Sequence, residues 1–397
     1  MNTFKLSILP VLSLAAFLLP RPAGTTDREP IDNSPKQFEH TDAGYTGADV
    51  MAAYNAFNQC LLYPVRKLYR RDTEAEKEVG AIWTQAIYWD MAMNAYKKTG
   101  SEAHRQLVSD IFKGNYEHYD RFNWDNGKVW FIYDDIMWWV ISLARGYELT
   151  GNAPYLELAE TGFERVWSGS SVVKDGGSYD PVNGGMYWQW NQKNPAASKE
   201  GDGKMACINY PTVIAAMTLF QNTKKPEYLE KAKEIYDWAS ANLFNKRRGA
   251  VADSKHGNGR PHWKTHVYNQ ATCIGAAMLL YNETGDERYL NDAVRAADYV
   301  KNSMCDEDGI LPYGRGEEQG IYTAIFAQYI VRLIQDGGKT EYLPWLRKNI
   351  NKGWQNRDKI RGLTGKNYRR KLTSAEAVSC YDASGIPALM LVCPPKG

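Results

Sequence analysis

Several things are scarce in this sequence, and each scarcity removes a class of function. There is no surplus of positive charge: 48 Lys and Arg face 46 Asp and Glu, a formal net charge of +2, which recommends neither nucleic acid nor an anionic membrane as partner. A neutral ligand fits better. No C-x-x-C occurs, and the six cysteines (Cys60, Cys207, Cys273, Cys305, Cys380 and Cys393) stand far apart, which excludes zinc knuckles and thioredoxin-type motifs. They read as small hydrophobes on helical faces, although export would permit one or two disulfides. Histidine is limited to six residues. His256, His262 and His266 stand near one another, but their spacing fits no standard zinc pattern. Asp306, Glu307, Asp308 and Gly309 open like a calcium loop without its closing Glu and read as a solvated turn. No metal and no cofactor is expected. No Pro/Ser linker or charge block divides the chain, so one large domain is expected.

Long apolar runs are missing too, except at the N-terminus. Lys5 precedes a mostly apolar run over residues 6–19, which Pro20, Arg21, Pro22, Ala23 and Gly24 break. This is the pattern of a secretory signal peptide over residues 1–23. No later run reaches the roughly 20 apolar residues a bilayer needs, and no cysteine follows the signal to carry a lipid. The expectation is an extension over residues 24–44, then a domain over 45–393. The mature protein should be secreted or periplasmic, free of the membrane and monomeric.

What is present is a repeated punctuation. Thr150-Gly151 is followed by Tyr155-Leu156, Thr284-Gly285 by Tyr289-Leu290, and Gly338 by Tyr342-Leu343, with each Tyr four residues past its Gly. Lys225-Pro226 before Tyr228-Leu229 is a variant, and Thr99-Gly100 with His104 a weaker one. Gly stops one helix and the Tyr-Leu pair packs early in the next. Apolar residues at i, i+3, i+4 spacing predict twelve helices, over 47–62, 80–98, 102–121, 133–150, 153–168, 204–222, 226–243, 266–284, 287–303, 318–336, 340–347 and 374–393. Connections after the even helices are two or three residues long, and those after the odd ones run from about ten to thirty-five. If direction alternates, every long connection emerges at one end, which is where a site belongs. The fold class is all-α, an (α/α)6 barrel of six helical hairpins with long loops at one end; an open solenoid fits the uneven unit lengths less well.

Two of the long loops are rich in aromatic residues. One runs through Trp124 and Trp130, the other through Tyr187, Trp188 and Trp190. Such rings either plug the barrel or stack on pyranose faces while Asn, Asp and Gln bind hydroxyls. Between the first loop and the fourth helix stand Asp134 and Asp135. As an N-cap and a first-turn acid they would gain about 0.3–1 kcal/mol from the helix dipole. As paired acids among rings, one would stay protonated and the other ionised, which makes an acid and a nucleophile. Neighbouring Asp residues span the roughly 5–5.5 Å of a retaining glycosidase more readily than the inverting 6.5–9.5 Å.

Tyr133-Asp134-Asp135 followed by Trp138-Trp139 resembles the paired-aspartate signature of glycoside hydrolase family 76, the endo-α-1,6-mannanases. Further matches follow in order: Gly184-Gly185-Met186-Tyr187-Trp188, Lys204 to Asn209, Tyr268-Asn269-Gln270 and Gly320-Ile321-Tyr322. The resemblance implies an (α/α)6 barrel, a retaining mechanism without metal, and α-1,6-linked mannan as substrate. It implies Asp134 as nucleophile and Asp135 as acid/base. For sugar binding it points to Trp83, Tyr133, Tyr187, Trp188, Asn209, Asp253, Tyr268, Asn269 and Gln270. Three places depart from the family pattern. Ile136-Met137 replaces Glu-Ala before Trp-Trp, Glu318-Gln319 replaces Phe-Lys before Gly-Ile, and Ala271 replaces Gly. They bear on the subsites, and so on endo versus exo action. A transglycosidase on the same site, and a mannan-binding protein that no longer turns over, are the competing readings. A sugar epimerase would want a catalytic His pair that the six His do not supply.

Overall fold

The structure is a computed structural model that describes residues 44–190 and 203–396. The expected signal peptide, and the extension up to residue 43, lie outside the described residues. Twelve helices of eight residues or more are found among the described residues: α1 (Gly47–Leu61), α2 (Ile82–Thr99), α3 (Glu102–His118), α4 (Tyr133–Thr150), α5 (Ala153–Ser168), α6 (Ala206–Thr223), α7 (Pro226–Asn242), α8 (Val267–Thr284), α9 (Glu287–Tyr299), α10 (Tyr322–Gln335), α11 (Leu343–Gln355) and α12 (Gly385–Val392).

Even and odd helices differ in how much of their circumference is apolar. In α6 every residue from Ala206 to Leu219 is buried, and a helix apolar all round must sit inside. In α9 burial is confined to one stripe, Tyr289, Asp292, Ala293, Ala296, Ala297 and Tyr299, as befits a helix with one wet face. The even helices form the inner ring: α2 packs on α4, α4 on α6, and so on to α12, which returns to α2. The odd helices pack outside, α3 on α2, α5 on α4, α7 on α6, α9 on α8, and both α11 and α1 on α12. The (α/α)6 ring is closed.

The short turns explain the Thr-Gly punctuation. Thr99, Thr150, Thr223 and Thr284 each donate a hydroxyl to the carbonyl four residues back, at 2.7–2.9 Å. Each also accepts the N–H two residues ahead, at 3.2–3.4 Å. One side chain thus satisfies an orphan carbonyl of the ending helix and an N–H of the turn. The next residue is left-handed: Gly100, Gly151, Lys224 and Gly285, with φ of 61°, 68°, 60° and 69°.

Some boundaries differ from the expected ones. Residues 374–379 are not helical, because Thr73 N–H donates to Val378 O and Cys380 N–H to Arg71 O. Only the single turn Cys380–Ala383 and then α12 are helical there, with Pro387 in the first turn of α12, where its missing N–H costs nothing. Helix α11 runs on to Gln355, since Leu346, Asn349, Ile350, Gly353 and Trp354 continue its buried stripe. Four two-residue strands were also not expected: β1 (Lys204–Met205) pairs with β4 (Ser254–Lys255), and β2 (Phe244–Asn245) with β3 (Ala250–Val251). All six cysteines are free and five are buried, so the permitted disulfides are not formed. No helix among the described residues is long and apolar enough to cross a membrane.

Lys224 is the one non-Gly residue in this set of left-handed caps, and a side chain there costs roughly 1 kcal/mol. Lys224→Gly is expected to stabilise the protein by about 0.5–1 kcal/mol, a rise of about 1–2 °C in thermal midpoint. A lower midpoint would mean that the contact of Lys224 with the Phe220 ring, at 5.4 Å, outweighs the backbone strain.

Candidate active site

Helix α4 starts from backbone that is held in place before it coils. Ile132 pairs with Gln189, Trp190 N–H donates to Phe131 O at 2.9 Å, and Tyr133 N–H donates to Trp188 O at 3.1 Å. The second aromatic loop is therefore stitched to the segment that launches the acid pair. Ile132 gives α4 no side-chain cap, and Asp134 and Asp135 are the second and third residues of the first turn, so neither is an N-cap.

Both carboxyl groups are drawn out of water. Burial raises Asp134 to about 7, against the pull of the Cys207, Trp188 and Trp138 side chains, and the charge of Glu318 adds to the rise. Burial raises Asp135 well above its ordinary value too, helped by the neighbouring Asp134 and then by Glu318. The pair therefore titrates together, as two coupled carboxyls that do not ionise independently. At neutral pH the arrangement is one anion beside one acid. Asp134 Oδ1 is sealed from solvent without a hydrogen-bond partner of its own.

The aromatic residues divide between plug and site. Trp124, Trp130 and Trp190 are buried; Trp124 and Trp130 meet edge to face at 4.6 Å, and Arg165 lies over Trp190 at 5.4 Å. They are core. Trp188 and Tyr187 stay half-buried at the mouth. Their loop is clasped by Lys204, whose Nζ meets Asp180 at 2.8 Å and lies over the rings of Tyr187 at 4.9 Å and Trp238 at 5.3 Å. Asp180 also accepts the Tyr187 hydroxyl at 3.0 Å. Gly184 and Gly185 lie flat on Trp238, where an added Cβ would come within 2.8 and 2.5 Å of the indole.

Trp83, Asp253, Tyr268 and Asn269 also gather at this end. Trp83 lies 6.0 Å from Trp138, centroid to centroid, and donates its indole N–H to Glu318 at 2.7 Å. Tyr268 stacks on Tyr322 at 4.1 Å, and the charges of Asp134 and Asp253 both act on its hydroxyl. Asn269 donates to Asp253 at 3.3 Å and keeps a buried Oδ1 without a partner. His266 approaches Asp253 at 3.8 Å.

Three residues expected to bind sugar have their polar atoms engaged within the protein, where they act as struts. Tyr133 donates to Asp175 at 2.5 Å, and Arg165 holds the other oxygen of that carboxylate. Asn209 accepts from Met186 N–H and donates to the carbonyls of Met186 and Met205. Gln270 donates to Gly249 O at 3.0 Å and accepts Val251 N–H at 2.7 Å. Cys207, Glu318 and Tyr322 fall within the stretches singled out in the sequence but were not among the residues expected to form the site. The available signal was positional, since all three stand at or just before the first turn of an inner helix, as Trp83, Asp134 and Tyr268 do. Among the described residues no group of three His, Cys, Asp or Glu side chains is placed to hold a metal ion.

A closed (α/α)6 ring with a desolvated carboxyl pair among aromatic rings at its loop end is an arrangement suited to glycoside hydrolysis. Residues 46–384 match glycosyl hydrolase family 76, and the chain belongs to that family. A comparison with curated protein sequences gives no match. Among solved structures, the α-1,6-mannanase of Salegentibacter sp. HEL1_6 is similar at 25% identity and a TM-score of 0.74, over 87% of this chain and 98% of the other. A variant of that enzyme, inactivated by replacing two adjacent aspartates with asparagine and solved with α-1,6-mannotriose, superposes equally at 24% identity over the same shares of both chains. The Dfg5 protein of Chaetomium thermophilum, in complex with glucosamine, shares the fold at 16% identity and a TM-score of 0.68, over 87% of this chain and 92% of the other.

The raised carboxyls have a consequence for stability. The native fold holds these protons more tightly than an unfolded chain does, so stability is withdrawn as pH climbs from about 4 through 7 and beyond. Asp134→Asn and Asp135→Asn are each expected to stabilise the protein at pH 8 by on the order of 1 kcal/mol, with the gain vanishing near pH 4. Thermal melts at the two pH values check this. First-turn acids that mainly served the helix dipole would show the reverse, a loss of about 0.3–1 kcal/mol at pH 8.

Proposed function

We propose that this chain is an exported, retaining endo-α-1,6-mannanase, with Asp134 as nucleophile and Asp135 as acid and base. One observation carries the reading: two carboxyl groups on consecutive first-turn residues are desolvated among aromatic rings, and both are raised above the ordinary carboxylate range. Such a pair suits the roughly 5–5.5 Å of a retaining enzyme. Membership of family 76 and similarity to an α-1,6-mannanase support the substrate. The N-terminal pattern of residues 1–23 supports export.

The Asp134 carboxylate attacks the anomeric carbon while Asp135 passes its proton to the departing glycosidic oxygen. A mannosyl ester on Asp134 and a free chain end result. Asp135, now ionised, takes a proton from water as that water attacks the same carbon, and the ester's electron pair returns to Asp134. Two inversions restore the α configuration. Trp188, Tyr187, Tyr268 and Trp83 offer ring faces to pyranose C–H groups, and Asp253 and Asn269 offer polar atoms to hydroxyls.

The test is incubation of the mature chain with unbranched α-1,6-mannan, followed by product sizing and anomeric NMR. Mixed oligomers should appear early, and the α-anomer should be released first. Asp134→Asn and Asp135→Asn should each lower kcat/KM at least 100-fold, or about 2.7 kcal/mol, with unchanged circular dichroism. First release of the β-anomer would make the enzyme inverting, and products longer than the substrate would make it a transglycosidase. No cleavage at all would remove mannan as the substrate.

A further inference from the structure

One acidic group at the mouth has no part in the chemistry described so far. Glu318 opens the 3-10 turn Glu318–Ile321 that feeds α10, and Trp83 is the second residue of α2. Helix α12 stands between α10 and α2 in the inner ring. The 2.7 Å bond from Trp83 Nε1 to Glu318 Oε2 therefore spans the mouth above α12 and joins two walls of the cleft. On its other side the Trp83 ring lies 6.0 Å from Trp138, four residues beyond Asp134 on α4. Glu318 thus reaches the acid pair through two aromatic rings.

Among the described residues no cation pairs with Glu318. The two nearby candidates are engaged elsewhere: Arg71 approaches Glu317 at 3.8 Å and Lys366 meets Asp382 at 3.3 Å. The other titratable groups around it are Tyr322 from α10, and Tyr381 and Asp382 from the segment before α12, against which Gly320 packs. All of these are neutral or acidic at working pH. The mouth therefore gathers the carboxyl groups of Asp134, Asp135, Asp253 and Glu318, with no cation assigned to Glu318.

We propose that Glu318 is a positioning residue of this site: its carboxylate fixes the Trp83 ring against the cleft wall and sets a third negative charge facing the Asp134–Asp135 pair, so that the pH range of catalysis depends on it. The inference rests on the reading of Asp135 as the acid. Burial raises Glu318 as well, with the bond from Trp83 opposing and the charge of Glu317 adding to the rise, but it is more open to solvent than Asp134 or Asp135, so it ionises ahead of them as pH rises. Its charge then opposes ionisation of the other two, in the direction found for both Asp134 and Asp135. The acid consequently keeps its proton to higher pH. Solvent at the mouth weakens the effect, which makes it a displacement of about half a pH unit rather than several.

Glu318→Gln separates the two parts of the role, because the amide oxygen still accepts the Trp83 N–H while the charge is gone. Glu318→Ala removes both. The measurement is a 13Cγ-aspartate NMR titration of wild type and both variants, with signals assigned through Asp134→Asn and Asp135→Asn, alongside kcat/KM against pH on α-1,6-mannan. In Glu318→Gln both apparent pKa values of the pair, and both limbs of the rate profile, should move down by about 0.5 unit at low salt, and by less at 1 M salt. KM should be unchanged. Glu318→Ala should show the same displacement and a KM raised several-fold. A Glu318→Gln titration that superimposes on wild type at low salt would overturn the proposal. Wild type that leaves mannan uncut while the NMR values still move would count against the mannanase reading and uphold the placement of charge.

Discussion

Two carboxyl groups on consecutive residues cannot both leave water as anions, and the long-loop end of this barrel is arranged around that constraint. At an effective dielectric of about 20, two unit charges about 5 Å apart repel by about 3 kcal/mol, roughly two pH units of proton affinity. The first turn of α4 offers anions only about 0.3–1 kcal/mol through its dipole. Repulsion and burial together therefore win, and the pair keeps a proton near neutrality. That state is of use only if the two side chains stay put. The backbone pairing of 131–133 with 188–190, the clasp of Lys204 on Asp180 and the Tyr133–Asp175–Arg165 bonds all restrain the segments around them.

Much of this was legible before any coordinates. A hydroxyl that must close one helix and open the next, followed by a left-handed residue, leaves Thr-Gly in the sequence at a fixed distance from a buried Tyr. The alternation of short and long connections follows from antiparallel hairpins, and it locates the site end without any knowledge of side chains. Asp134 and Asp135 stood out because the roughly 0.3–1 kcal/mol that a helix dipole offers first-turn acids is little reason to set two of them side by side between Trp130 and Trp138. The non-helical stretch at 374–379 was not legible, since its end is tied by backbone bonds to residues 71–73, some 300 residues away, and its apolar spacing is compatible with a helix. The bond between Trp83 and Glu318 crosses 235 positions, beyond the reach of any local pattern.

Polar residues beside the mouth show a subtler limit. Tyr133, Asn209, Asn269 and Gln270 are all buried, and from sequence each is an equal candidate for binding a hydroxyl. A buried amide must find partners whether it faces the cleft or the back of a loop, so residue type cannot separate the two. Only the count of satisfied atoms does. Asn209 and Gln270 have both ends of their amides engaged, whereas Asn269 keeps an unpaired oxygen. The struts hold the loops that carry Trp188 and Asp253, so truncating one would disturb sugar binding at a distance and could be mistaken for loss of a contact.

The same ring geometry decides where each sign of charge is tolerated. The six inner helices all start at the long-loop end, so their partly positive N-termini converge near the axis, while the opposing ends of the outer helices stand further away. Acids gather there: Asp134, Asp135, Asp253 and Glu318. The inner C-termini converge at the short-turn end, around a cavity of about 470 Å³ whose lining includes Lys97, Lys98, Arg145 and Arg332. Lys97, Lys98 and Arg332 fall in the last turns of their helices, where cations answer exposed carbonyls. Arg145 pairs with the buried Asp90 at 2.7 Å. The basic cluster thus follows from helix direction and needs no ligand to explain it. The acidic mouth goes beyond what direction explains, because helix N-termini favour ionised carboxylates and the Asp134–Asp135 pair keeps a proton near neutrality against that preference. A site that works against its own helix dipole must gain something other than stability, and proton transfer at neutral pH is what such a pair supplies.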